Sequence, residues 1–280
     1  MLPPLILTEI RHGQSQGNVI NKKPGTFPEN YVNFPSNLYE LTRLGIKQSQ
    51  IAGQWVIENI EHIDAIYTSP SPRVLQTLEH SNILTNYGPI CYPPDLRLIE
   101  QYWGAMDNTP YEERLKHLIA FAKKGYDELT FCPPGGETMA ACQLRIHDFH
   151  NMLCRQHSGQ NIVVFTHGGI MEAHAVDILR MNGLDYQHAS THKTKPCYVR
   201  NCQITQYTRQ NPENDEVSDE YTFFRSVCPW DNDDQAIWEP IQKSMLDQQS
   251  LSALNHRTRD EQINRALLEL GVDTEYLKNL

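Results

Sequence analysis

The sequence predicts an α/β protein: a three-layer α/β/α sandwich built on a mostly parallel sheet. Two observations carry that expectation. Short runs rich in apolar and β-branched residues, at Leu5–Ile10, Ile63–Thr68 and Asn161–Phe165, suit strands covered on both faces. Between them lie longer stretches with helical spacing and recognisable caps, and strands that alternate with helices favour parallel crossovers.

Taken in order, the first strand leads into a polar loop, Gln14 to Tyr39, containing Pro24, Gly25, Pro28 and Pro35. Loops of that length in compact domains are more often functional than idle. Thr42 caps a helix to about Asn59, with Leu44, Gln48, Ile51 and Trp55 along one side. Gly45 falls in its first turns, where glycine is costly unless close packing or a ligand needs the space. After the second strand, Ser71 and Pro72 read as N-cap and first residue of a helix through about Leu84. Ile90–Tyr92 reads as a short strand. Leu96 to Pro134 is aromatic, charged and partly helical, and is expected to be an insertion over the sheet edge that covers the active site. Glu137 to about His157 has a helical stripe of Met139, Cys142, Ile146, Phe149 and Leu153. The third strand runs into Thr166-His167-Gly168-Gly169 and a helix over Ile170–Met181. Cys202–Thr208 and Tyr221–Val227 complete the strands, on either side of the acidic turn-rich stretch Asn211–Glu220.

From Trp230 the composition shifts to Gln, Asp and Asn. Thr258 and Glu261 form a capping box before Ile263, Ala266, Leu267 and Leu270, and Gly271 follows as a stop. The expected organisation is a domain over residues 1–228, with the insertion at about 96–134, and a helical C-terminal extension over 229–280. That extension packs on the domain, mediates a homodimer or binds another protein.

With 280 residues the chain can bury a full core. No apolar run approaches the ~18 residues of a membrane span, and Met1–Ile10 lacks the basic region and apolar core of a signal peptide. The net charge of −10 and pI near 5.6 argue against nucleic-acid or anionic-membrane partners, so an anionic substrate needs a local basic pocket. Seven cysteines, odd in number and without a CxxC pair, point to free thiols in a reducing compartment, hence a cytoplasmic protein. Cys197, Cys202 and His192 match no common zinc spacing. His147 and His150, three apart on one helix, fit a solvated face better than a metal site.

Chemistry gathers where strands end. Arg11-His12-Gly13 follows the first strand and His167-Gly168-Gly169 the third; in an open α/β sheet, carboxyl ends of strands line the ligand crevice, so the two histidines can converge. Arg73 lies in a first helical turn beside free N–H groups, a favourable setting for an anion. Glu100 is flanked by apolar and aromatic residues, a setting that desolvates a carboxyl. Lys22 and Lys23 can screen an anionic substrate from the long loop. Tyr102, Trp103 and Tyr111 can wall the site or pack the insertion, and Glu137 can touch its rim.

These pieces form an ordered set: R-H-G-Q-S-x-G-N at 11–18, L-T-x-x-G at 41–45, S-P-x-x-R-x-x-Q-T at 69–77 and L-x-x-E-Q-x-x-G around Glu100 and Gln101. P-G-G-E at 134–137, T-H-G-G at 166–169 and N-C-Q-I at 201–204 follow. The chain thereby resembles the histidine phosphatase (phosphoglycerate mutase-like) superfamily over roughly Leu5 to Val227. The resemblance implies that His12 attacks phosphorus and becomes phosphohistidine, that Arg11, Arg73 and His167 hold the phosphoryl oxygens, and that Glu100 donates the leaving-group proton. Asn18, Gly13, Gln14 and the Gly168 N–H are implied as helpers in phosphate and substrate binding. Gln14 stands where many members have Glu, and Ile99 replaces an Arg that often precedes the acid.

Two guanidiniums and an imidazolium can stabilise charge on equatorial phosphoryl oxygens without a metal, so neither metal nor cofactor is expected. Gly17 precedes Asn18 where the mutases carry Trp, which favours the broad phosphatase branch acting on a small phosphorylated substrate or a phosphoprotein. The alternatives are a phosphoglycerate mutase-type phosphotransferase and a non-catalytic, phosphate-binding regulatory protein.

Overall fold

A computed structural model describes residues 2–20, 34–107, 109, 116–117, 120 and 129–243. Among them a six-stranded sheet runs in the order β2-β3-β1-β4-β5-β6, with β1 at Ile6–Arg11, β2 at Ala65–Thr68, β3 at Asn161–Thr166, β4 at Ile204–Thr208, β5 at Phe223–Val227 and β6 at Glu239–Pro240. The strands β2, β3 and β1 are parallel, with Ile66 opposite Val163 and Ile10 opposite Phe165. Beyond β1, the neighbours β4, β5 and β6 pair antiparallel. Four of the six strands therefore share one direction.

Seven helices flank the sheet among the described residues: α1 (Gln16–Ile20), α2 (Arg43–Asn59), α3 (Pro72–Ser81), α4 (Ile83–Tyr87), α5 (Met139–Gln156), α6 (Gly168–Ile178) and α7 (Gly183–Thr191). The strand period of two sends alternate residues into separate cores. Leu7, Tyr67, Ile162, Val164 and Tyr207 pack with Ile146 and Phe149 of α5 and Ile170 and Val176 of α6. Ile10, Ile66, Val163, Phe165 and Ile204 pack with Val56 of α2 and Val74 of α3. Two cores divided by one sheet make the three-layer sandwich.

The expected cap forms at Thr42, whose side chain accepts from the Gly45 N–H; Ser71 stands at the N-cap of α3 without a side-chain cap bond, and Thr138, not expected as a cap, accepts from the Ala141 N–H. The helix expected through Leu84 breaks instead at Asn82, which takes a left-handed conformation (φ 59°) before α4 restarts. Asn tolerates that region because its short side chain bonds locally. The strand expected at Ile90–Tyr92 is a single parallel bridge from Cys91 to Ile66. Helix α1, within the expected loop, and α7 lack the apolar stripe that reveals a helix in sequence.

Past residue 228 the chain stays on the sheet. β6 pairs with β5, Lys195 reaches Asp234 at 2.5 Å, and the Arg225 guanidinium lies between the rings of Trp55 and Trp238 at 5.2 and 4.5 Å. The described part of the extension is thus strand and loop. The helix expected around Thr258–Gly271, Lys22, Lys23, Tyr111 and most of the insertion lie outside the described residues. Of the insertion, 3-10 turns at Leu96–Leu98 and Gly104–Met106 are described. All seven cysteines are free, and no described helix is long and apolar enough to cross a membrane. For function the decisive feature is adjacency: β2, β3 and β1 are neighbours, so their carboxyl ends deliver Ser69–Arg73, His167–Gly169 and Arg11–Gly13 to one place.

Candidate active site

His12 is buried just past β1, with Nδ1 2.7 Å from its neighbour's carbonyl, Gly13 O. On its other side the Arg73 Nε–H donates to Nε2 at 3.3 Å. A carbonyl can only accept and a guanidinium can only donate, so the ring carries its proton on Nδ1 and a lone pair on Nε2. Burial, then the charges of Arg73 and Arg11, hold its pKa well below the ordinary value. The outcome is a neutral imidazole with its free nitrogen turned towards two guanidiniums, the form in which histidine is a nucleophile.

Arg73, in the first turn of α3, spans the site. Its Nη2 lies 3.1 Å from His167 Nδ1, and its Nη1 donates to Ser36 O at 2.9 Å. His167, the N-cap of α6, is also buried; its Nε2 lies 2.9 Å from Ser69 Oγ, and the two histidine rings sit edge to face at 5.3 Å. The expected imidazolium at His167 is corrected here: burial first, then Arg73, lowers its pKa well below the ordinary value, so the protein by itself holds this ring neutral. Burial likewise lowers the pKa of Arg73. Such a cluster of buried basic groups, opposed by the Glu100 and Asp107 carboxylates, is a setting that favours an anion.

Arg11 closes the far side. Its Nη1 donates to Val199 O at 2.6 Å, while its Nε is buried with no hydrogen-bond partner in the protein. A Cβ at Gly168 would come within 3.2 Å of that Nε, so the glycine leaves the guanidinium its space. Helix α6 begins at Gly168, and its first-turn N–H groups have no acceptor within the helix. Asn18 is oriented by its own oxygen: Oδ1 accepts from Ser15 N at 3.0 Å, Ser15 Oγ at 3.1 Å and Asn201 Nδ2 at 2.9 Å. Three donors on one oxygen fix the amide's orientation.

Glu100 stands on the opposite wall, with Oε2 4.0 Å from His167 Nδ1 and Oε1 accepting from the Gln101 N–H at 3.0 Å. Its side chain is 27% exposed, so the expected desolvation is only partial. A Cβ on Gly169 would fall 2.7 Å from Glu100 Oε1, so this carboxylate needs a glycine opposite it. Arg11, His12, Asn18, Arg73 and Glu100 line a cavity of about 940 Å³ whose outer walls are Leu38, Tyr39, Leu96, Ile99, Tyr102 and Trp103. Tyr102 and Trp103 thus do wall the site. Across the mouth, Ser36 Oγ donates to Asp107 Oδ2 at 2.5 Å, tying the 34–39 segment to the insertion.

Two expected residues sit elsewhere. Gln14 turns its Oε1 to the Thr42 hydroxyl at 2.9 Å and does not line the cavity. Glu137 is not at the rim; it pairs with Arg145 at 2.8 Å, and Arg145 Nη1 donates to Arg97 O and Ile99 O. That pair braces the segment carrying Glu100. Gly13 contributes its carbonyl to His12 and its N–H to Thr77 Oγ1 at 3.0 Å. Ser36, Ser69, Thr77, Arg145 and Asn201 were not legible as site residues. For Thr77 and Asn201 the motif pieces at 69–77 and 201–204 were the available signal.

The candidate metal ligands separate: His147 pairs with Asp177, His150 with His174, Cys197 with Met181 and His192 with His188 O. Among the described residues no group of three or more His, Cys, Asp or Glu can hold a metal ion.

The family model described as histidine phosphatase superfamily (branch 1) matches residues 7–213. The chain belongs to the histidine phosphatase superfamily. A curated superfamily relative, fructose-2,6-bisphosphatase TIGAR of Mus musculus, is 31% identical over 159 residues, covering 55% of this chain and 52% of that protein. The Xenopus tropicalis protein of the same name is 29% identical over 153 residues, covering 53% and 50%. The chain thus spans about half the length of the curated relatives it matches. Among solved structures, Bacillus stearothermophilus YhfR aligns with a TM-score of 0.56 at 24% identity, over 77% of this chain and 96% of that one. A mutant phosphoserine phosphatase from Entamoeba histolytica, in complex with phosphoserine, aligns with a TM-score of 0.55 at 23% identity, over 74% and 91%. These likenesses establish the superfamily's fold for this chain.

Proposed function

We propose that this chain is a metal-independent phosphomonoester hydrolase acting through a phosphohistidine on His12. The single observation that carries the proposal is the state of that ring: neutral, its Nδ1–H donated to the Gly13 carbonyl, with its Nε2 lone pair set between Arg73 and the cavity.

A phosphoryl group enters with its oxygens against Arg11, Arg73, His167, Asn18 and the Gly168 N–H. The dianion displaces the Arg73–His12 contact, and Nε2 attacks phosphorus in line with the ester oxygen. As the N–P bond forms, the P–O bond breaks and the leaving oxygen takes the proton of a protonated Glu100. Water then attacks phosphorus, Glu100 takes its proton, and the P–N bond breaks to return Nε2 and release phosphate. The charge that Arg11 and Arg73 supply takes the place of a metal ion.

A cavity of about 940 Å³ has room for a small phosphorylated metabolite. The relatives named above are called after a sugar bisphosphate and an amino-acid phosphate, which agrees with a small phosphomonoester as substrate. A phosphoprotein loop is the second substrate class in the proposal. Seven free thiols fit a reducing compartment, and we place the protein in the cytoplasm. The C-terminal extension remains the proposed segment for self-association or a protein partner.

His12→Ala tests the proposal. It is expected to abolish turnover of p-nitrophenyl phosphate and to remove acid-labile phosphorylation of the protein. Near-normal activity in that variant overturns the nucleophile assignment.

A further inference from the structure

We infer that Gln48, buried in α2, is a positioning residue that holds His12 in its nucleophilic tautomer; the catalytic part of this rests on the phosphatase proposal. The peptide between Gly13 and Gln14 has two polar ends. Its carbonyl, Gly13 O, is the acceptor for His12 Nδ1 at 2.7 Å, and its N–H, on Gln14, donates to Gln48 Oε1 at 2.9 Å. Carbonyl and N–H lie in one plane. Fixing the N–H therefore fixes the direction in which the carbonyl points. Donation to Gln48 also polarises the peptide and makes its oxygen a better acceptor.

The neighbouring peptides are held by other groups. Gly13 N donates to Thr77 Oγ1 at 3.0 Å, and Gln14 O accepts from Thr42 N at 2.9 Å. Only the middle peptide touches the nucleophile's ring, and Gln48 is the side chain that holds it.

The helix is brought close enough by two glycines. A Cβ on Gly13 would lie 2.5 Å from Gly45 O, and a Cβ on Gly45 would collide with the Gln14 carbonyl. With neither Cβ present, α2 lies directly on the loop after β1, and Gln48, three residues after Gly45, reaches the peptide. The residue is 4% exposed. A Gln14 N–H left without it would be a buried unpaired donor, which the native arrangement avoids.

Three preparations test the inference: wild type, Gln48→Met, which keeps the length of the side chain and removes the acceptor, and Gln48→Glu, which restores an accepting oxygen. The histidine-15N NMR signature of His12 should show Nδ1–H in the wild type, a detectable Nε2–H population in Gln48→Met, and Nδ1–H again in Gln48→Glu. In parallel, kcat per folded molecule on p-nitrophenyl phosphate should fall tenfold or more in Gln48→Met with KM changed less than twofold, and recover in Gln48→Glu. A wild-type ring protonated on Nε2 overturns the inference, as does a folded Gln48→Met with unaltered tautomer and kcat. If Gln48→Met does not fold, Gln48→Leu, which also lacks the acceptor, takes its place: a detectable Nε2–H population supports the inference and an unaltered Nδ1–H tautomer overturns it. The NMR readout needs no turnover, so failure of the phosphatase proposal and failure of this inference are seen separately.

Discussion

Replacing Arg73 by Lys, and separately by Met, is the sharpest test of how this site handles charge. The guanidinium reaches three acceptors in different directions: His12 Nε2 at 3.3 Å, His167 Nδ1 at 3.1 Å and Ser36 O at 2.9 Å. The first two directions face the place where the proposed mechanism puts the phosphoryl oxygens; the third anchors the side chain. Lys keeps the charge but concentrates it on one nitrogen, so it cannot serve both inward directions from one anchored position. Loss of one charge-assisted hydrogen bond costs about 1.5–3 kcal/mol. At about 1.4 kcal/mol per factor of ten, Arg73→Lys should lower kcat/KM by about 10- to 200-fold. Met removes the charge as well, and the loss should reach about a thousandfold or more. Stability should change much less than activity, because burial already lowers the pKa of Arg73 and the native state bears the cost of its charge. The assay is initial-rate p-nitrophenyl phosphate hydrolysis at fixed ionic strength, with urea unfolding of each variant beside it. Arg73→Met within tenfold of wild type, or Arg73→Lys as impaired as Arg73→Met, refutes the argument.

Glu100→Gln should slow hydrolysis of alkyl phosphates, whose leaving oxygen needs a proton, far more than that of nitrophenyl phosphate; equal losses across leaving groups exclude the acid role. Gly169→Ala puts a methyl 2.7 Å from Glu100 Oε1 and should reduce alkyl phosphate turnover by about ten- to a hundredfold. The same change should leave stability equal or raise it by up to about 1 kcal/mol, since alanine is the better helix former. A variant unaffected in rate shows that the carboxylate has freedom to move. His150 bonds His174, which bonds the buried Glu9, and burial followed by His174 and His147 lowers the His150 pKa to about 3. A depressed histidine is stabilising while neutral. Its contribution is complete above the unfolded value of about 6.5 and is lost as pH falls from there towards about 3. Between pH 7.5 and 5.0 the wild type should therefore lose up to roughly 2 kcal/mol that His150→Gln does not, measured by urea unfolding; parallel pH profiles refute it.

Local signals identified local structure well. Thr42 caps as its sequence context predicts, and the apolar runs at Ile6–Arg11, Ala65–Thr68 and Asn161–Thr166 are buried strands. Elements without periodicity were missed for a physical reason: α1 and α7 lack an apolar stripe, and β6 is two residues on a sheet edge. The break at Asn82 lies inside a continuous helical pattern, where one left-handed residue leaves no compositional trace.

The residue types with reactive chemistry were visible in the chain because strand ends followed by charge, imidazole and glycine are a local pattern. Arg11, His12, Arg73, His167 and Glu100 could be named from that pattern and the resemblance it led to. Their supports could not. Ser69 behind His167, Asn201 behind Asn18 and Arg145 behind the Glu100 segment are ordinary polar residues until the fold brings them together. Protonation also belonged to the tertiary structure: His167 was expected as an imidazolium, and burial beside Arg73 makes it neutral.

By itself the sequence determined the three parallel strands, the helix capped by Thr42 and the set of groups proposed to bind and attack a phosphoryl centre, because each depends on residues close together in the chain. Only the tertiary structure decided which nitrogen of His12 is free, where Gln14 and Glu137 point and what walls the cavity. Those outcomes depend on distance, burial and direction between residues far apart in the chain, as in the Arg11–Val199 contact.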